Sequence, residues 1–382
     1  MKTKIHQLAR RLTSNFDEKE AIVKWGDDNL YPQRMERIID ASQTAKSCTA
    51  LVAKYIIGKG LAVKNEKIIG TKGSLRLTAE KLLRRVARDI SRMNALAVHV
   101  NWNANYKISD IEVLPIQNVR LGKIDSKRYQ SKIVYNEEWE KQKKGFDFKS
   151  SSKNHVFDVF NPDPKVIDYQ VKNAGGWNKW NGQVFYYNFD EYSVYPLSSI
   201  DVVQDDADTE SQIQIYKNKD LRNGFGADYI IFHEKFEDDD EAEMFTKEIN
   251  EFKGANNKGS IMVQEANFTE IGDKLSTGFI IEKLEKNVND KIWEHYEKSI
   301  ANNIRKAVYN IPPLLIDLTE GKLGNTSGES ILQAKTFLNE QTEDIRNTTS
   351  NVLWEFMQFF DGFSRDMLKI KPLIDETNSN TQ

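Results

Sequence analysis

Residues 308–341 read VYNIPPLLIDLTEGKLGNTSGESILQAKTFLNEQ, and they constrain the fold more than any other stretch. A helical pattern runs into Ile311-Pro312-Pro313, and a short apolar run, Leu314-Leu315-Ile316, follows. A polar stretch holding Gly321, Gly324 and Gly328 comes next. Thr326-x-x-Glu329 then forms a capping box that opens a new, long helix. Two strong helices joined by a glycine-rich loop describe a mechanical device more readily than a catalytic centre. The plain alternative is an ordinary helix–loop–helix connection in an α+β protein.

The chain has 382 residues, enough for about two or three domains with a sizeable core. Its mean hydropathy is -0.62 and 29% of residues are charged. That is polar for a monomer of this length and suits a chain that shares surface with sister subunits. The net charge is -3. A protein that grips nucleic acid tightly is usually basic, because its affinity comes from neutralising phosphates.

The single cysteine, Cys48, excludes a disulfide framework within the chain. It lies on an apolar stripe with Ile38, Ala45, Val52 and Tyr55 and reads as a buried thiol. No apolar run is long enough for a membrane span. The basic N-terminus (Lys2, Lys4, His6, Arg10, Arg11) lacks the apolar segment of a secretory signal. The expected state is soluble and intracellular.

Residues 1–30 are polar and read as a mobile arm. Met35, Ile38, Ile39, Ala45, Cys48, Val52, Tyr55 and Ile56 recur at helical spacing, with Gly58 as the stop. A β stretch is expected around 61–69. Thr78 opens a second helix, with Leu82, Leu83, Val86 and Ile90 inside. Lys81, Arg85, Arg88 and Arg92 stripe its other face. That stripe is either a solvated, salt-bridged face or a contact for DNA or an acidic partner. From 96 to 189 the pattern turns to strands: 97–100, 111–114, 155–160 and 183–187. Trp177, Trp180, Tyr186 and Tyr187 crowd this region, as strand packing or as a sugar- or base-stacking surface.

Ser198-x-x-Asp201 is a second capping box and predicts a helix over 199–221. Its acidic first half and basic second half complement the helix dipole. A small α/β insert follows, with strands at 229–232 and 260–263 and a helix carrying Phe245, Ile249 and Phe252. The acidic run 237–241 sits at that helix's N-terminus. A long helix is predicted over 287–309 and a last one over 329–360, with a polar tail at 375–382.

Motifs for catalysis are missing. No GxxxxGK[ST] loop exists, since Lys59, Lys123 and Lys322 follow glycines without the required Ser or Thr. The five histidines, at 6, 99, 155, 233 and 295, show no ligand spacing. His233 beside Glu234 is the best single candidate and reads as a strand-end histidine. Asp205 and Asp206 diverge on a helix and do not form a metal site with Asp208. Neither a catalytic residue, a metal nor a cofactor is expected.

Three phrases carry a resemblance. Lys219-x-x-Arg222-Asn223-Gly224-Phe225 sends a helix into an Asn-Gly-aromatic turn. Phe252-Lys253-Gly254-x-Asn256-Asn257-Lys258-Gly259-x-Ile261-Met262-Val263 runs through a glycine loop into a strand. Val308-Tyr309-Asn310-Ile311-Pro312-Pro313-Leu314-Leu315 enters the loop of the opening paragraph. With the order of elements, these resemble the portal proteins (head–tail connectors) of tailed bacteriophages over about 330 residues. The implied fold is α+β and portal-like. It has an arm (1–30), a mixed α/β wing (31–197), a first stem helix (198–221) and a small α/β clip (222–284). A second stem helix (285–310), a tunnel loop (311–328), a long helix returning to the wing (329–360) and a short tail (361–382) complete it. The chain departs from many portals in leaving little for a crown, and its N-terminal half matches only in general character.

The resemblance implies a homo-oligomeric ring, usually of twelve subunits, at one capsid vertex, with double-stranded DNA passing through. It places Lys322, Leu323, Asn325, Thr326 and Ser327 on the channel, with Pro312, Pro313, Gly321, Gly324 and Gly328 as hinges. Arg222, Asn223, Phe225, Lys253 and Lys258 would lie at the clip, where the terminase large subunit docks first and a head–tail adaptor later. A major capsid protein or scaffold is a further implied partner. The implied location is the virion, with the host cytoplasm during assembly. The competing readings are a carbohydrate-binding or other structural module using residues 177–187, a different phage assembly component, and a metal-dependent hydrolase. Carboxylates for the last abound, but among 57 acidic residues that carries little weight.

Overall fold

The protein is described from a computed structural model over residues 21–72, 75–125, 129–141, 154–223, 227–233, 242–244, 247, 260–265, 279–283, 290–316 and 328–374. It divides into two units, one made of Met1–Asp208 with Ile300–Gln382 and the other of Thr209–Ser299.

The first unit opens with a segment that the sequence reading assigned to a mobile arm, and residues 21–30 correct that reading. Val23 and Trp25 are buried. Val23 N donates to Leu121 O, and Tyr195 Oη donates to Val23 O at 2.8 Å. Trp25 stacks on Tyr195 at 4.5 Å between ring centres. Helix α1 (Tyr31–Ala41) follows, with Pro32 in its first turn, where the missing N–H costs nothing. Ser42 then interrupts the apolar periodicity. Its Oγ accepts from Ala45 N at 3.0 Å and caps a separate helix α2 (Gln43–Ile57). Gly58, at φ 57°, ends α2.

The β stretch expected at 61–69 is mostly irregular. Strand β1 covers Gly60–Leu61, β2 Gly70–Lys72 and β3 Leu75–Leu77. Thr78 caps helix α3 (Ala79–Met93) through Lys81 N, and the expected Leu82, Leu83, Val86 and Ile90 are all buried. Asn94 ends α3 in the left-handed region at φ 50°.

A six-stranded mixed sheet forms the centre: β4 (Ala95–Trp102), β5 (Ile108–Val113), β6 (Val119–Leu121), β7 (Lys132–Tyr135), β8 (His155–Val159) and β9 (Gln183–Asn188). The order is β5-β4-β9-β8-β7-β6, with only the β8–β9 pair parallel. A crossover containing helix α4 (Pro164–Ala174) joins these two, as a parallel connection requires. The four expected strands are present, and β6 and β7 are additions.

After β9 the predicted capping box takes another form. Ser198 Oγ donates to Arg92 O at 2.7 Å, and Tyr31 Oη donates to Asp201 at 2.7 Å. The pair ties the chain to α1 and α3 instead of capping. A short 3-10 turn at Asp201–Val203 leads into helix α5 (Gln204–Asn223). In the second unit, β10 (Ala227–His233) lies between β11 (Ser260–Glu265) and β12 (Phe279–Lys283), parallel to the first and antiparallel to the second. The strand at 279–283 was not expected. Of the helix expected around Phe245 and Phe252, residues 242–244 and 247 are helical; the rest of it and the acidic run 237–241 lie outside the described residues.

Helix α6 (Asp290–Ala307) returns to the first unit. The single helix expected over 329–360 is two, α7 (Gly328–Gln341) and α8 (Glu343–Met357). Thr342 marks the break: its Oγ1 donates to the carbonyls of Leu338 and Asn339, a back-bond that bends helices. Residues 361–374, assigned to a short tail, are built into the fold. Strand β13 (Ile370–Lys371) pairs antiparallel with β1, and Leu368 is buried. The tail 375–382 lies outside the described residues. Helix α8 packs on α2, and Phe356 meets Phe185 of β9 at 5.0 Å, so the core lies between the sheet and these helices. The fold is α+β.

Candidate functional site

The segments that the sequence marked for function are the two long helices, the sheet between them and the turn after α6. Helix α5 begins anchored. Ile200, Val203, Ala207 and Ser211 are buried at three- and four-residue steps, one helical face, and Ile213 is buried beside them. Beyond Ile213 that pattern stops, and residues 214–218 are all exposed. Among the described side chains of α6, Ile300, Ile304 and Arg305 are buried, while Tyr296 is 55% exposed. Each unit has its own tie between the helices. In the first, Asn303 Nδ2 donates to Asp206 at 3.2 Å. In the second, Lys217 pairs with Glu297 at 2.5 Å.

The sequence did not reveal how α6 ends. Val308 N bonds Ile304 O, and Ile311 N reaches back to Arg305 O at 3.0 Å. Between them Tyr309 (φ 54°) and Asn310 (φ 47°) both sit in the left-handed region. This region costs roughly 1–2 kcal/mol for a residue with a Cβ, and asparagine tolerates it best. The buried side chains of Val308 and Ile311 hold the turn. Burial raises the Tyr309 hydroxyl above its ordinary range, and Asp344 at the start of α8 adds to this. Pro312 then fixes an extended residue, and Pro313–Leu315 forms a 3-10 turn closed by Leu315 N to Pro312 O at 3.0 Å. The base of the loop is therefore rigid. An asparagine two residues before a Pro-Pro pair was the available signal.

Of the predicted loop residues, Gly328 is the first residue of α7, and a side chain there would meet nothing within 4 Å. Glu329 lies in the first turn, where a carboxylate complements the helix dipole. Gly321, Lys322, Leu323, Gly324, Asn325, Thr326 and Ser327 lie outside the described residues. So do Phe225, Lys253 and Lys258. Arg222 and Asn223 are the last two residues of α5.

The basic stripe on α3 is partly consumed. Arg92 is buried and pairs with Glu36 at 2.5 Å and with Asp40 at 3.0 Å, both on α1. Arg88 reaches Glu36 at 3.2 Å, and Lys81 Nζ donates to Arg76 O. Arg85 is exposed.

The aromatic cluster is mainly packing. Trp180 Nε1 donates to Asp158 at 2.9 Å, and Trp177 meets Trp180 edge-on at 79°. Tyr187 packs edge-on against Phe189, and Tyr186 donates to Val194 O. These rings do not form a flat platform for a sugar. His99 Nε2 donates to Asn181 O, 2.7 Å away, and the ring packs on Phe157. Among the described residues no group of three His, Cys, Asp or Glu could hold a metal ion. No helix among them is long and apolar enough to cross a membrane.

No protein-family model and no curated protein matches this sequence. Solved structures do match. A chain in the neck of an empty GTA particle, computed with C6 symmetry, superposes at a TM-score of 0.53 with 14% identity, covering 92% of this chain and 84% of that one. A chain in the virion of a native gene transfer agent (GTA) particle gives 0.50 with 13% identity, covering 88% and 83%. An HK97-family phage portal protein from Corynebacterium diphtheriae gives 0.41 with 10% identity over 88% and 90%, a score too low to weigh. The fold is thus shared, over about nine-tenths of this chain, with a chain of a gene transfer agent particle.

Proposed function

We propose that this chain is a portal subunit, forming a ring through which double-stranded DNA is packaged and ejected. The observation that carries the reading is the pair of helices α5 and α6. Both leave their anchored ends and present large apolar side chains that one chain does not cover: Ile215, Tyr216 and Tyr296 are 45%, 54% and 55% exposed. In a ring every such helix gains a neighbour on each side, and this surface becomes interface. The likeness to a chain in the neck of a symmetric particle supports the same arrangement.

In this reading the ring has twelve copies, and residues 317–327 hang from a rigid base into the channel. Lys322 supplies one cation per subunit, enough to touch phosphates and release them. The clip, with Arg222, Asn223, Phe225, Lys253 and Lys258, receives the terminase large subunit during packaging and an adaptor afterwards. The wing meets the capsid protein or scaffold. The chain needs no enzymatic activity of its own, since the motor is a separate protein.

Deletion of 319–327 is the test. Rings should assemble normally while DNA packaging or retention fails. Normal packaging would remove the tunnel-loop assignment. Charge reversal at Lys253 and Lys258 should weaken docking of the motor or adaptor and leave the ring whole. A collapsed ring would make that loop an intersubunit contact instead.

A further inference from the structure

The central sheet has a gap. Strand β8 pairs with β9 only at Asp158↔Gln183 and Val159↔Val184, whereas β9 pairs with β4 from Gln183 to Asn188. Past Val184, no strand among the described residues lies beside that edge of β9. The space is a groove of about 510 Å³. Ile133, Val159, Val184 and Phe359 are among its apolar walls, and Glu355, near the end of α8, is the single charged residue lining it. An open sheet edge over an apolar cleft is a liability that proteins usually cover.

The described chain starts close by. Lys123 N donates to Ala21 O at 2.9 Å, and Ile22 bridges to Gly122. Val23 N donates to the carbonyl of Leu121, and Gln130 Nε2 donates to that of Gly122. Leu121 and Gln130 also line the groove. Ala21 is therefore within about two strand spacings of these lining residues, roughly 5–10 Å, a span that three extended residues cover.

Residues 1–20 carry the matching chemistry. Ile5, Leu8, Leu12 and Phe16 recur at steps of three and four, one apolar helical face. Lys2, Lys4, Arg10 and Arg11 accompany them, with no acid before Asp17. We propose that residues 1–20 dock in this groove on their own chain, with Leu8 and Leu12 against its apolar wall and the arginine pair beside Glu355. A short tether gives the segment an effective concentration of about millimolar, which favours its own groove over a neighbour's. The proposal does not depend on the portal reading.

The test is cysteine cross-linking in the full chain carrying Leu12→Cys and Gln358→Cys; the native Cys48 is buried and does not compete. A short bismaleimide should join the two within one chain, seen as a linked peptide without a dimer band. Glu355→Lys should lower the yield about fivefold or more by losing the ion pair. A dimer band means that a second copy's segment fills the groove, and overturns the proposal. So does no link when both thiols alkylate readily. Hydrogen exchange on the unlinked protein guards against a misfolded variant. Leu8→Asp should speed exchange about tenfold both in residues 5–16 and at 185–187. Unchanged exchange at 185–187 contradicts docking.

Discussion

Arg92 shows how a surface-looking charge becomes internal. It sits at three- and four-residue steps from Arg85 and Arg88, yet its guanidinium is buried against Glu36 and Asp40. Removing one partner of a buried pair leaves the other charge uncompensated, typically at about 3–5 kcal/mol. Because Glu36 keeps Arg88 and Asp40 is 48% exposed, Arg92→Ala should lower unfolding stability by less than that, about 1–3 kcal/mol, in a denaturant titration, whereas exposed Arg85→Ala should change little. Asp89 is a second buried ionisable group nearby. Burial raises its carboxyl from 3.8 to about 7, with Glu36 also raising it, against the lowering effects of Arg88, Arg92 and the Ile116 N–H. The folded protein thus keeps a proton that the unfolded chain releases above about pH 4. Stability should fall as pH rises from about 4 to about 7 and level off above that. Asp89→Asn should flatten this slope; a slope unchanged in the variant would place its origin elsewhere. Arg120 differs again. It is fully buried, held by Asn29, Gln33 and backbone carbonyls, between Trp25 at 5.7 Å and Trp139 at 5.0 Å. Burial pulls its pKa down to about 10, so it stays charged at neutral pH.

At the scale of elements, caps decide where helices begin. Ser42→Ala should cost about 1 kcal/mol, the usual value of a lost N-cap, and blur the boundary between α1 and α2. Gly58 controls a longer-range feature. A Cβ there would lie 2.0 Å from Lys371 O. Gly58→Ala should free residues 369–374 from β1, and limited proteolysis should cut there first. These boundaries explain what sequence reading could see. Thr78 and the stripe Leu82, Leu83, Val86, Ile90 were legible because cap and periodicity agree. Strands β6 and β7 were not, since they are three and four residues long and buried without alternation. The segment 21–30 was misread because three buried side chains among polar neighbours make no pattern, and what holds them, Arg120 and Tyr195, is distant in sequence. The loop base was half legible: Pro312 and Pro313 announced a rigid turn, but the left-handed Tyr309 depends on packing that no local rule supplies.

At the scale of the molecule, the two long helices α5 and α6 were legible because each carries a sustained helical pattern, whereas the N-terminal half matched the portal resemblance only in general character. The exposed apolar residues on α5 and α6 were hidden, since their exposure is a property of the folded chain. They are also what the ring reading explains best. Negative-stain electron microscopy of the purified protein, with its mass in solution, tests that reading most directly. Closed rings with a central hole wide enough for duplex DNA are the predicted result. A persistent monomer, with α5 and α6 still protease-accessible beside the motor and capsid partners, would contradict it.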